Sequence, residues 1–197
     1  AHVPEGLSGW EMGVDKNPEK KAESDYRART PRRSSAHESS MTYVFVTPRK
    51  WQTKSSWERA KSQSKKWKGV RVYDSASLEE WLERAPGVDV WLARLMNLRP
   101  EGLTDLDNYW QNLQAMTNPS LVPEVFLASR QKQIKAFEEW LTGPVSPVVI
   151  TARSPAEAID FVAAAIRVSK QRDAAVSKAI IVEEREAWKT TVCADAD

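Results

Sequence analysis

The sequence is short of cysteine, of histidine and of long apolar runs. Its one cysteine, Cys193, excludes a disulfide framework, and no Cys/His grouping has zinc spacing. His2 and His37 carry no partner pattern and are assigned no role. No apolar run approaches the roughly 18 to 20 residues needed to span a bilayer, and no signal-peptide pattern opens the chain. A start methionine is also missing, and Ala194–Asp197 forms no recognisable cap, so the chain is expected to be a fragment of a longer one. What is present is 197 residues, 41% of them hydrophobic, with nine tryptophans. That is enough for a real core, and the expectation is a soluble, cytoplasmic globular protein.

An excess of one charge is missing only on average. The formal net charge is +2, yet residues 1–70 carry 15 Lys/Arg against 8 Asp/Glu, and residues 71–197 carry 14 against 19. Such asymmetry points to an anionic partner for the first segment.

Along the chain, residues 7–14 are a short apolar and aromatic run that reads as a strand. Asn17-Pro18-Glu19 is a helix start, with Asn as cap and Pro at the first helical position; Ala22 and Tyr26 fall on its packed side. Arg29 to Ser40 is polar, basic and unpatterned, hence a loop. Thr42–Thr47 is β-branched and aromatic and is stopped by Pro48. A basic helix is expected over Lys54–Lys68, ended by Gly69, and then a strand Val70–Tyr73. Ser77 with Glu80 predicts a capped helix bearing Leu78, Trp81 and Leu82. Strands alternating with helices imply an α/β sheet, and the long connections suit parallel crossovers. Three regions are expected: an α/β domain over 1–85, a helical connector over 86–123, and the start of a second α/β domain over 124–197. In the last, strands Val148–Ala152 and Ala179–Val182 are expected on either side of a helix Pro155–Ile166. A phosphate loop would follow the first of them, but Ala152–Ala158 holds no Gly and no Lys, so the usual ATP cradle is unsupported. Ser154-Pro155-Ala156-Glu157 reads instead as a helix N-cap.

The residues that could carry chemistry are Glu11, Lys20, Lys21 and Asp25. A strand carboxylate followed by a helical lysine can hold Mg²⁺ beside a reacting phosphate while the lysine orients water. The plainer alternative makes Glu11 a surface carboxylate and pairs Asp25 with Lys21 at i, i+4. Asp15 is a second ligand or, more simply, a turn residue. A basic stretch, Arg49, Lys50, Lys54, Lys61, Lys65, Lys66 and Lys68, offers phosphate contacts. Its tryptophans could stack on bases, though Trp57 has the spacing of a core residue.

The element order, with Trp10-Glu11-Met12-Gly13, Lys21-Ala22 followed by Asp25-Tyr26, and Phe45-Val46-Thr47-Pro48-Arg49, resembles the restriction-endonuclease-like nuclease superfamily. The likeness is closest to its Mrr-type branch, at the head of large bacterial multidomain proteins. It covers roughly residues 4–85. The resemblance implies Mg²⁺-dependent hydrolysis of DNA, Glu11 as metal ligand and catalytic carboxylate, and a setting in bacterial defence. The family's Glu-x-Lys lysine is replaced by Gly13, and some members supply it from the following helix, where Lys21 or Lys20 lies. Gly13 would then leave room for that lysine. The family's first acidic residue would precede Ala1, so the piece by itself is expected to cleave poorly. The alternative is a catalytically inactive DNA-binding or protein-interaction module working with further domains of the same chain.

Overall fold

The computed structural model describes residues 3–30, 40–98 and 101–192. Most of the expected loop 29–40 and the residues Arg99 and Pro100 lie outside these, as does Cys193. The chain divides into two compact units, Ala1–Glu83 and Arg84–Asp197. Together they form a mixed α/β arrangement of small sheets with flanking helices. No described helix is long and apolar enough to cross a membrane.

The first unit runs β1 (Ser8–Met12), α1 (Pro18–Arg29), β2 (Thr42–Val46), α2 (Lys54–Gln63), β3 (Gly69–Tyr73) and α3 (Ser75–Glu83). The three strands form a parallel sheet in sequence order, with Glu11 opposite Phe45 and Phe45 opposite Val72. Because side chains alternate along a strand, one face carries Glu11, Tyr43, Phe45, Val70 and Val72, and the other Trp10, Val44, Arg71 and Tyr73. The first face is covered by α1 and α2 through Ala22, Tyr26 and Trp57, joined by Trp51 and Trp67. Rings meet edge-on across it: Tyr26 lies 5.2 Å from Tyr43 and 5.6 Å from Trp57. On the second face Trp81 of α3 packs on Tyr73, which also stacks with Trp10. The outer edge of β3 is closed by a side chain, since the Val72 amide donates to Glu58 of α2 at 2.6 Å.

Two boundaries differ from expectation for clear physical reasons. The basic helix stops at Gln63 rather than Lys68. Ser64 donates back to the Lys61 carbonyl and Lys65 takes the left-handed region at φ 52°, which turns Trp67 into the core against Tyr43. Lys65, Lys66 and Lys68 therefore sit on a turn. The α3 helix starts at Ser75, and its cap is Asp74, which accepts from the Ser77 amide at 3.2 Å. Ser77 is instead engaged by Lys54, whose ammonium donates to its hydroxyl at 2.7 Å.

The second unit is mostly helical: α4 (Pro86–Leu95), β4 (Leu103–Asp105), α5 (Leu106–Ala115), α6 (Pro123–Leu127), α7 (Gln131–Thr142), α8 (Pro155–Val168), α9 (Arg172–Lys178), β5 (Ile180–Val182) and α10 (Arg185–Val192). Its core gathers Leu106, Trp110, Phe137, Phe161 and the alanines 163–165. Gly87 permits α4 to approach α9 closely, because a Cβ there would lie 2.5 Å from the Val176 carbonyl oxygen. The expected βαβ pattern is not formed. β5 pairs antiparallel with β4, a strand inside the stretch read as a helical connector. Val148–Ala152 is not a strand, for no sheet edge lies beside it among the described residues. It takes no regular secondary structure, and Val149 is 90% exposed. The cap read at Ser154 holds: its side chain accepts from the Glu157 amide, with Pro155 at the helix start.

Candidate functional site

The candidate residues meet where β1 runs into α1. Asn17 caps α1 through the Lys20 amide and sets the helix phase, so that Lys21, Asp25 and Arg29 follow one another at four-residue spacing. Ala22 and Tyr26, one position further on, are buried against the sheet. Lys21 crosses back over the end of β1: a Cβ on Gly13 would lie 2.8 Å from Lys21 Cγ and 2.8 Å from Phe45 Cζ. The absent side chain thus leaves the slot in which the lysine stem lies. Lys20 is on the exposed side of the helix and is not part of the cluster.

Within the cluster each charge has a partner. Glu11 is held by the Arg29 guanidinium. Lys21 Nζ lies 2.7 Å from Asp25 Oδ1. That hydrogen bond holds the Lys21 ammonium above its ordinary range, and the fields of Asp25, Asp15 and Glu11 add to it. Lys21 is accordingly a fixed positive charge rather than a base. Beneath it the Tyr43 hydroxyl is pushed well up by burial, with the fields of Asp25 and Glu11 adding, so the phenol stays neutral. Tyr43 Oη and Asp25 Oδ2 are both buried, and neither has a hydrogen-bond partner among the described residues.

Among the described residues no group of three or more His, Cys, Asp or Glu side chains gathers that could hold a metal. Mg²⁺ is commonly bound by only one or two carboxylates together with substrate phosphates. Glu11 and Asp25 are the carboxylates of this cluster, the first paired with Arg29 and the second with Lys21.

The basic residues divide into two groups. Lys54 is committed to buried Asp74, and Lys61 to Glu23 at 2.7 Å, where it also lies 5.1 Å from the Tyr26 ring centroid. Arg49, Lys50, Lys65 and Lys68 are exposed, and Lys66 is half-exposed. Arg49 donates to the Val14 carbonyl at 3.3 Å, at the same end of β1 as Glu11. Trp51, Trp57 and Trp67 are core residues, and each indole N–H is bonded, to Thr53, Glu23 and Thr30 respectively. They present no free face to a base.

Sequence reasoning missed Arg29 and Tyr43. The four-residue repeat from Lys21 through Asp25 could have found Arg29, and the alternation of β2 could have placed Tyr43 on the face of Glu11. Comparison with protein-family models, with curated proteins and with solved structures finds no match to this chain.

Proposed function

We propose that the first unit is a restriction-endonuclease-like module that engages DNA and, in the full-length protein, hydrolyses phosphodiesters with Mg²⁺. The observation that carries this reading is the seating of Lys21 over Gly13, beside Glu11 and Asp25. A helix-borne lysine stands where the strand itself has no side chain to offer.

In this reading Glu11 would hold the metal, which supplies charge stabilisation to the phosphate oxygens and activates water. Lys21, kept protonated by Asp25, orients that water and offsets negative charge developing on the phosphate. Arg29 is 66% exposed at its side chain and pairs with Glu11 while no phosphate is bound; a phosphate is an alternative partner for it. Arg49, Lys50, Lys65, Lys66 and Lys68 contact the backbone without reading sequence.

A second reading, a DNA-binding module without catalysis, is favoured by the mutual pairing of Glu11 with Arg29 and Lys21 with Asp25. One experiment separates them: full-length protein with supercoiled plasmid and Mg²⁺, wild type against Glu11→Ala and Lys21→Ala. Nicking by wild type that both substitutions abolish, with DNA binding retained, supports the nuclease. Salt-sensitive binding without nicking supports the binding module. Absence of DNA binding overturns both.

A further inference from the structure

A feature unused by that reading lies in the second unit. A cleft of about 600 Å³ opens between α7, α8 and the irregular segment 148–153. This volume is within the range of small-molecule sites, roughly 300–1,000 Å³. Its apolar walls are Phe137 and Phe161, edge to face at 6.2 Å, with Val148 and Ile150 opposite. Ala136 and Ala158 are the small residues that leave the space open.

This segment is a strap fastened at both ends. Trp140 Nε1 donates to the Ser146 carbonyl at 2.7 Å, and the Arg153 amide donates to Glu157 Oε2 at 3.0 Å. Between these points no backbone–backbone hydrogen bond is made by residues 148–152 among the described residues. The strap is therefore not held in a sheet, and its apolar side chains are available to line a bound molecule.

The charges at the cleft do not cancel. Arg130 pairs with Glu157 at 2.6 Å and its guanidinium lies 5.9 Å from the Phe161 ring centroid. The Arg153 amide and the Arg130 guanidinium together hold the Glu157 carboxyl below its usual range, so it is ionised. Arg153 has no ion pair of its own among the described residues, which leaves two guanidinium groups against one carboxylate. A polyphosphate is the wrong complement, because Ala152–Ala158 has neither glycine nor lysine to cradle it.

We propose that this cleft is a binding site for a small organic monoanion with an apolar ring system, the rings lying between Phe137, Phe161 and the strap and the anionic group meeting Arg153 and Arg130. Glu157 occupies the anion position in the free protein and competes with the ligand for Arg130.

The test uses 8-anilinonaphthalene-1-sulfonate, which has two ring systems and one negative charge, against its uncharged counterpart N-phenyl-1-naphthylamine. Wild type is expected to bind the sulfonate at one saturable site, at least tenfold more tightly than the uncharged probe. Arg153→Glu should weaken the sulfonate about tenfold, and Glu157→Gln should strengthen it a few-fold by releasing Arg130. Ala158→Phe, which fills the cleft, should abolish binding. Ala136→Trp on the exposed side of α7 is the second filling variant should the first not fold, with cooperative thermal unfolding as the check. Equal binding by a folded filling variant, or equal binding of the charged and uncharged probes, overturns the proposal.

Discussion

In the first unit Thr42–Val46 lies between two parallel neighbours and is buried at four of its five positions; in the second, Val148–Thr151, of similar β-branched composition, forms no strand and pairs with none among the described residues. The first run has β1 and β3 to pair with and aromatic side chains to interleave beneath it. The second has only helices and a cleft. The difference teaches that β-propensity describes a fit to a pleated, half-buried surface rather than a property of the run itself. The two short strands that do pair in the second unit are Leu103–Asp105 and the wholly β-branched Ile180–Val182, which lie edge to edge.

That contrast can be tested from its strongest element downward. Phe45 is fully buried at the centre of the parallel sheet, so Phe45→Ala should cost about 3–5 kcal/mol. Hydrogen exchange should show the loss as falling protection across β1, β2 and β3. Retained protection there would mean the sheet does not depend on its aromatic layer.

In the second unit the corresponding dependence is on helix approach. Gly87→Ala places a methyl 2.5 Å and 2.7 Å from the carbonyl oxygens of Val176 and Ala179. The expected cost is about 1–3 kcal/mol, read by urea unfolding followed by helix circular dichroism.

Asp74 tests the electrostatics of the first unit. Burial alone would raise its carboxyl, but the hydrogen bond from Lys54 and those from the Trp51 and Ser77 amides outweigh it, and the group is held below its ordinary range. A depressed folded-state value contributes stability that is present above the unfolded value of about 3.9 and is lost as pH falls through the folded one. Asp74→Asn should therefore cost about 2 kcal/mol near neutrality and flatten the acid limb of a stability profile measured from pH 2 to 6. An unchanged acid limb would remove Asp74 from the account.

The smallest effect is where the two units are alike. Asn17 before Pro18 and Ser154 before Pro155 cap α1 and α8 by the same device, each accepting an amide three residues on. Asn17→Ala and Ser154→Ala should each cost about 1 kcal/mol, measured as a shift in the denaturant midpoint. Unequal costs would show that one helix is held chiefly by its packing.

These caps were legible because their signal is local: a side-chain acceptor, a proline and a helical pattern within four residues. The three parallel strands were legible for the same reason, each being a continuous apolar or β-branched run bounded by turn formers. The place of Lys21 over Gly13 could be read because a missing side chain and an available one stand eight positions apart. What could not be read was long-range. Lys54 finds Asp74, and Lys61 finds Glu23, only after α2 packs beside β3 and α1, so a stretch that looks uniformly basic divides into structural and exposed cations. The strand pairing of Leu103 with Val182 joins residues 79 positions apart through three-residue strands too short to show a period.

The Glu58 carboxylate on the Val72 amide gives the first sheet a polarity across its width. One margin carries a charged blocker that an incoming strand must displace, and the other, at Ser8–Met12, carries exposed Met12 and no such blocker among the described residues. At Val72 the β3 margin is therefore guarded against strand addition, a guard without counterpart on β1 among the described residues.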